Sequence, residues 1–142
     1  MAAPRAPALY SPALLAMAVE LADYPFDAQA IAVGEARSRS CGSVISLSSV
    51  HTGRLERIGL KVSACAVGQA SAAIFAREAG GMDAVSRTLG ALGEWLEGDA
   101  AAPALERIDM LEPARAYRAR HGAILLPWKA ALDALSKGGG AG

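Results

Sequence analysis

Hydrophobic positions near the start of the chain repeat at the spacing of an α-helix. Ser11 followed by Pro12 has the form of an N-cap with proline in the first helical turn. The apolar residues that follow share one helical face: Leu14, Leu15, Ala18, Leu21 and Ala22. The pattern predicts a helix over residues 12–22 that ends before Pro25.

The middle of the chain changes to the two-residue alternation of β-strands. Residues 43–50 and 55–64 form two alternating runs on either side of a polar turn at 51–54, which predicts a β-hairpin. A shorter run at 31–36 adds another strand. The sequence therefore predicts a three-stranded antiparallel sheet with one solvent-exposed face.

Helical spacing returns in the second half of the chain. Residues 68–79 predict a helix rich in small side chains, and residues 83–97 predict an amphipathic helix, each stopped by glycine. Residues 113–136 contain a basic run and then an apolar helix, in which Pro127 either marks the first turn or introduces a kink. Together the elements predict an α+β fold with helices packed on one face of the sheet.

Composition limits the number of domains and the class of partner. A chain of 142 residues suits one domain, which we place at residues 9–136, with a disordered arm at 1–8 and a flexible glycine tail at 137–142. Fourteen Lys and Arg balance fourteen Asp and Glu, so the positive excess typical of nucleic-acid or membrane-surface binding is missing. Hydrophobic residues make up 53% but aromatic residues only 5%, which favours a tight core of small and aliphatic side chains.

The sequence also predicts where the protein resides. No apolar run reaches the roughly 20 residues of a membrane-spanning helix. The apolar residues 13–19 stand between Pro12 and Glu20 without the cleavage pattern of a secretory signal. We therefore expect a cytoplasmic protein with reduced thiols.

Two cysteines carry the candidate chemistry. Cys41 lies in a Ser-Cys-Gly-Ser turn before a strand, and Cys65 follows the hairpin partner of that strand, just before a helix. Pairing backward from the hairpin turn sets residues near 43 against residues near 62, so both thiols are expected at the same end of the sheet. The spacing itself matches no metal-binding motif, and two small buried hydrophobic side chains are the alternative interpretation.

The segments around both cysteines resemble a known protein family. Residues 40–43 (SCGS) and 63–73 (SACAVGQASAA), joined by the hairpin, resemble the A-C-G-D turn and the G-C-G/A-x-x-x-A-S-x-S helix start of the NifU/IscU iron-sulfur scaffold family. Residues 122–132 (GAILLPWKAAL) resemble the C-A-T-L-x-W-K-A-L stretch of its SufU-like branch. The resemblance extends over residues 9–135.

The resemblance implies a scaffold or carrier rather than an enzyme. In the family, three cysteines and an aspartate at one end of the sheet hold a zinc ion or a [2Fe-2S] cluster, and a cysteine desulfurase delivers sulfur. Cys41 and Cys65 match the first two cysteines, whereas Ser43 replaces the aspartate and Ala123 the third cysteine. His121, two residues from that position, is the candidate third metal ligand, and a surface histidine among arginines is the alternative interpretation.

Three hypotheses follow from a ligand set with two replaced positions. The first is a scaffold or sulfur/metal carrier that holds a cluster transiently through Cys41 and Cys65, alone or as a homodimer that shares one cluster. The second is a degenerate family member that acts as a protein-interaction module without metal, and the third a zinc-dependent sulfurtransferase accessory protein. Residues 111–115 retain part of the family's chaperone-recognition motif, which implies a chaperone as a further partner.

Overall fold

The computed structural model describes residues 11–39, 42–78, 81–98 and 100–140. The elements of the described residues are, in chain order, α1 (Pro12–Val19), a first 3-10 segment (Glu20–Asp23), β1 (Ala32–Arg37), β2 (Val44–Ser49), β3 (Gly59–Ser63), α2 (Ala66–Glu78), α3 (Met82–Leu96), a second 3-10 segment (Ile108–Ala116) and α4 (Arg118–Gly140). The predicted domain limits at residues 9 and 136 stay a prediction.

The three strands form one antiparallel sheet in the order β1-β2-β3. At one end of this sheet Arg37 pairs with Val44 and Val44 pairs with Ser63. This end, formed by Arg37, Val44 and Ser63, is called the Cys65 end below because Cys65 follows two residues after β3. The predicted three-stranded antiparallel sheet, with helices packed on it in an α+β fold, is confirmed.

Helix α4 lies directly on β1, and a glycine makes the close approach possible. A Cβ atom on Gly34 would lie 2.3 Å from the carbonyl oxygen of Ala130 and 2.3 Å from the backbone nitrogen of Ala134. From the same helix, Asp133 accepts the backbone N–H of Glu35 at 2.9 Å. These contacts fix α4 across the strand, and thereby fix the start of α4 at the Cys65 end.

The core is built from small and aliphatic side chains, as the composition predicted. The buried residues of α2 and α4 include these alanines: Ala70, Ala72, Ala73, Ala76, Ala123, Ala130, Ala131 and Ala134. Phe75 and Trp128 meet edge to face, with 5.3 Å between ring centroids. None of the helices in the described part of the chain is long and apolar enough to cross a membrane.

The connection between β2 and β3 is longer than the predicted turn at 51–54, since it spans residues 50–58. Ser49 explains the difference. Its buried hydroxyl accepts the N–H of Glu56 at 3.0 Å and lies 3.3 Å from the carbonyl oxygen of Arg54. Because these bonds fold residues 54–56 back onto the end of β2, the strand pairing resumes only at Gly59.

Helix α4 is also longer than predicted, and it contains both His121 and Pro127. A proline in a helix interior lacks the N–H that would pair with the carbonyl four residues earlier, here that of Ala123. Next to that position, the carbonyl of Ile124 accepts the buried hydroxyl of Ser71 in α2 at 2.6 Å. Hydrogen bonding and packing against α2 thus support α4 around Pro127. Sequence periodicity also missed the second 3-10 segment, which precedes α4.

Candidate metal centre

Cys65 lies at the junction of β3 and α2. Its carbonyl accepts the N–H of Gln69 at 2.9 Å, which closes the first turn of α2. The side-chain amide of Gln69 donates to the carbonyl of Ala64 at 2.8 Å and so fixes the residue before the cysteine. The side chain of Cys65 is half-buried and forms no disulfide. The thiol therefore stands at a helix N-terminus, where the helix dipole favours a negative charge.

The turn between β1 and β2 lies at the same end of the sheet. Ser38 donates its N–H to the carbonyl of Ser43 at 2.9 Å, and Gly42 donates its N–H to the carbonyl of Ser38 at 2.9 Å. Gly42 has a φ of 71°, in the left-handed region that favours glycine. Ser43, which replaces the family's aspartate, is only 4% exposed. This residue is therefore part of the packed turn.

Cys41 lies outside the described residues, so its pairing with Cys65 stays a prediction. The strand register around it is nevertheless described. The hairpin pattern predicted residues near 43 opposite residues near 62, and the observed partner of Val44 is Ser63. The turn that contains Cys41 and the segment that leads into α2 consequently meet at the Cys65 end.

Ala123, which replaces the family's third cysteine, packs against the start of α2. It is fully buried, at 0% exposure. A Cβ atom on Gly68 would lie 3.2 Å from the Cβ of Ala123 and 2.7 Å from the Cβ of Ala64. The missing side chain of Gly68 thus allows α4 to approach the first turn of α2. The two segments aligned with the second and third family cysteines are in contact in the structure.

The half-buried His121 has a backbone partner. Its Nε2 lies 2.8 Å from the carbonyl oxygen of Arg115. Because a carbonyl oxygen only accepts hydrogen bonds, Nε2 is the donor in this contact, and in the neutral imidazole Nδ1 then carries the lone pair. The imidazole also borders a surface pocket that contains Glu97 and Arg118. The role of His121 as a metal ligand stays a prediction.

The described residues do not by themselves provide a metal site. Among them, no three Cys, His, Asp or Glu side chains come close enough together to hold a metal ion. Cys41, Cys65 and His121 would supply three ligands at most. Zinc and iron-sulfur sites typically need four ligands, so a metal or cluster on one chain would require a further ligand from outside.

Sequence reasoning missed a basic cavity at the Cys65 end. It has a volume of about 430 Å³ and lies between the β1–β2 turn and α4. The described residues that line it are Arg37, Ser38, Arg39, Gly122, Leu126 and Lys129. The sequence indicates this cavity only weakly. Arg37 and Arg39 are close together before Cys41, but the third basic residue, Lys129, is distant in the chain.

Solved structures of other proteins share the fold of this chain. The crystal structure of the N-terminal part of a nitrogen-fixing NifU-like protein from Brucella abortus matches with a TM-score of 0.80 and 27% identity, and the match covers 96% of this chain and 98% of that one. The chain has a NifU/IscU-like fold. This confirms the resemblance that the sequence motifs indicated.

A second structure shares the NifU/IscU-like fold. It is a putative iron-sulfur cluster assembly scaffold protein for the SUF system from Fervidobacterium islandicum AW-1, with a TM-score of 0.74, 18% identity, and coverage of 91% of this chain and 98% of that one. No family model matches the sequence. No curated protein matches it either. The NifU/IscU-like assignment therefore rests on structure together with the motifs around Cys41 and Cys65.

Proposed function

We propose that this NifU/IscU-like chain is an iron-sulfur cluster assembly scaffold or sulfur/metal carrier. In this proposal Cys65 and Cys41 hold the cargo transiently as thiolates, the cargo is a [2Fe-2S] cluster or a zinc ion, and the chain itself performs no catalysis. A cysteine desulfurase in the cytoplasm is the expected sulfur donor. Recognition by a chaperone and a homodimer that shares one cluster are further parts of the proposal.

The position of Cys65 carries this proposal. A structural cysteine is ordinarily sealed in the core, whereas this thiol is half-buried and reachable from solvent. The thiol precedes the first residue of α2, and a cysteine sulfur in such an accessible position can bind metal or accept sulfur. The β1–β2 turn, which contains Cys41, returns to the same end of the sheet.

The hydrogen bond of His121 supports its role as the third ligand. Metal-binding histidines commonly donate their second ring N–H to a carbonyl or carboxylate, which orients the ring and fixes the tautomer. The contact between Nε2 and the carbonyl of Arg115 has this form and leaves Nδ1 as the candidate donor atom. With three ligands from the chain, the cargo would be bound less tightly than in a four-ligand site, as suits a carrier.

Anaerobic reconstitution with ferrous iron and sulfide tests the proposal. We expect the wild type to develop cluster absorbance and to retain iron after desalting, and we expect Cys65→Ala and Cys41→Ala to lose both. Ser63→Ala is the matched control, since Ser63 is exposed two residues before Cys65. The same variants are compared for bound zinc. A wild type that retains no more iron or zinc than the cysteine variants would overturn the proposal.

One observation favours the second candidate, a protein-interaction module without metal. Both replaced positions, Ser43 and Ala123, are packed into the structure as buried residues. A module of this kind would bind a cysteine desulfurase equally well in wild type and in a Cys41→Ala, Cys65→Ala double variant. It would also retain no metal in the reconstitution experiment. Loss of desulfurase binding in the double variant would contradict this candidate.

A further inference from the structure

A second cavity lies near the end of the sheet opposite the Cys65 end, where the β2–β3 connection leaves the strands. It has a volume of about 450 Å³. The described residues that line it come from the end of the first 3-10 segment and the chain just after it (residues 23–25), from the β2–β3 connection (residues 55, 57 and 58) and from α2 (Ala76). The candidate metal centre contributes none of them, so the two sites are separate.

Backbone hydrogen bonds hold two walls of this cavity in place. On one side, the carbonyl of Tyr24 accepts the N–H of Leu60 in β3 at 2.7 Å. On the other side, the hydroxyl of Ser49 accepts the N–H of Glu56 at 3.0 Å, and the carbonyl of Glu56 accepts the N–H of Val50 at 3.0 Å. Because both walls are anchored to the sheet, the cavity has the preformed character of small-molecule sites.

Arg57, which lines the cavity, has a backbone conformation that is unfavourable for its residue type. Its φ is 45°, in the left-handed region where the Cβ atom of an L-residue is crowded. Glu56 is fixed by the bonds just described, and Gly59 by its pairing with Ser48, so the chain must turn between them. Glycine would make this turn without strain. Strained residues are concentrated at ligand sites, and Arg57 is therefore a candidate ligand-binding residue.

Two opposite charges line the same cavity, one from Arg57 and one from Asp23. Both residues are exposed. Within the ranges that the structure describes, neither of them forms an ion pair, with the other or with any third residue. Both charged groups are thus available to a ligand that carries a negative and a positive charge, since a guanidinium binds carboxylates and a carboxylate accepts hydrogen bonds from an ammonium group.

The inner part of the cavity is apolar. Leu55, Ile58 and Ala76 line it, and all three are buried, whereas the two charged residues are exposed. An apolar group that enters the cavity would lose its contact with water against these side chains, which favours binding. The volume falls in the size range of small-molecule sites in proteins. Size, charge and lining together indicate a small zwitterion with an apolar side chain.

We propose that this cavity binds a free α-amino acid with an apolar side chain. Arg57 binds the α-carboxylate through two parallel hydrogen bonds, and Asp23 binds the α-ammonium group. The side chain of the amino acid packs on Leu55, Ile58 and Ala76. A free amino acid is expected, and not a peptide terminus, because a terminus carries only one of the two charges. Binding requires no metal and no covalent step, so this site goes beyond the proposed scaffold function.

Titration of the full, metal-free chain with L-leucine, followed by two-dimensional amide NMR spectra, tests the proposal. We expect saturable shifts of the amide signals of residues 23–24 and 55–58, and no shifts at residues 63–66. Two analogues of leucine measure the contribution of each charge: 4-methylpentanoate lacks the ammonium group, and 3-methylbutylamine lacks the carboxylate. Each analogue should bind about tenfold more weakly than leucine, the cost of a lost charge-assisted hydrogen bond. L-methionine and L-phenylalanine are titrated in the same way.

Variants that remove one charge at a time test the two assigned contacts. Arg57→Gln and Asp23→Asn should each weaken leucine binding by about tenfold or more. Arg54→Gln is the matched control for the arginine, because Arg54 belongs to the same connection but does not line the cavity. Asp83→Asn is the control for the carboxylate, at an exposed position in the first turn of α3. Both controls should bind leucine as the wild type does. Circular dichroism establishes that each variant is folded before titration.

A second pair of variants separates the strain at Arg57 from its side chain. Arg57→Gly removes both the guanidinium and the strain, whereas Arg57→Ala removes the guanidinium and keeps the strained φ. We expect the glycine variant to have the higher midpoint of chemical denaturation, and both variants to bind leucine about tenfold more weakly than the wild type. Equal midpoints would contradict the strain on which the assignment of Arg57 depends.

Three results would overturn the amino-acid site: no saturable binding of any of the three amino acids, shifts confined to other parts of the chain, or wild-type affinity in both Arg57→Gln and Asp23→Asn. The test is independent of the scaffold function, since Cys65→Ala should bind leucine as tightly as the wild type. If reconstitution yields no metal but leucine binds, the scaffold function fails and the amino-acid site stands. The reverse outcome leaves the scaffold function and removes the amino-acid site.

Discussion

Gly68 and Ala123 join the two helices at the Cys65 end: a Cβ atom on Gly68 would lie 3.2 Å from the Cβ of Ala123. The glycine follows Cys65 by three residues, and the alanine follows His121 by two. The contact therefore fixes the segment that contains Cys65 relative to the segment that contains the candidate histidine. Its tightness can be tested directly.

Gly68→Ala should destabilise the fold by about 1–3 kcal/mol, the usual cost of overpacking a core. The added methyl group would lie 2.7 Å from the Cβ of Ala64, closer than two methyl carbons can approach. Chemical denaturation measures the free energy of unfolding. Gly90→Ala is the control, since nothing lies within 4 Å of that Cβ and the glycine is in helix α3. This control should gain about 0.4–1 kcal/mol.

Restoring the family's ligand set should create a tight zinc site. We expect the double variant Ser43→Asp, Ala123→Cys to copurify with about one zinc ion per chain, because four protein ligands are then available. Without metal it should unfold about 1–3 kcal/mol more easily, since Ala123 is fully buried and the new side chain is larger. Adding Cys65→Ala to this variant should remove the zinc. A double variant with no more zinc than the wild type would mean that these positions do not form the family site.

His121 should contribute to metal affinity while the other histidine does not. His121→Ala should weaken zinc binding by about tenfold or more, as expected for the loss of a ligand. His51→Ala is the matched control. Its Nδ1 accepts the N–H of Gly53 at 3.0 Å in the β2–β3 connection, at the opposite end of the sheet. Equal zinc affinities in both variants would favour the interpretation of His121 as a surface histidine.

Glu20 and Arg107 should make stability depend on pH. Two hydrogen bonds from Arg107, at 2.7 and 2.9 Å, hold the pKa of Glu20 below its ordinary value of 4.5, although burial opposes the shift. A lowered folded-state pKa stabilises the fold above the unfolded-state pKa, and the gain disappears as the pH falls through the folded-state pKa. Glu20→Gln should therefore cost about 1–3 kcal/mol at neutral pH and progressively less below pH 4.5.

Denaturation of both proteins over a range of pH measures this difference. Glu97→Gln is the control, because Glu97 forms an exposed ion pair with Arg118 at 2.9 Å. Such pairs contribute about 0–1 kcal/mol. A pH-independent difference between the wild type and Glu20→Gln would show that the carboxylate charge is not responsible.

Local patterns in the sequence predicted much of the fold. The alternation at 43–50 predicted β2 to within one residue at each end, and Ile45 and Leu47 are buried as expected. The same alternation failed at the hairpin turn, because the contacts of Ser49 decide where pairing resumes. Hydrophobic periodicity does not record side-chain hydrogen bonds to the backbone.

The candidate site was predictable only where short motifs mark it. The motifs around Cys41 and Cys65 indicated the family, and the register of β2 and β3 followed from the hairpin. The basic cavity and the ion pair between Glu20 and Arg107 bring together residues that are distant in the chain. Only tertiary packing places such residues together, so a single sequence offers little signal for them.

The hydrogen bond between Asp133 and the backbone N–H of Glu35 also protects β1, an edge strand of the sheet, from pairing with a strand of another molecule. An added strand at β1 would have to displace a carboxylate and the helix that carries it. At β3, the N–H of Leu60 is already bonded to the carbonyl of Tyr24 at 2.7 Å. Other parts of the chain thus cover part of both edge strands, β1 and β3. This disfavours aggregation through edge-to-edge strand pairing.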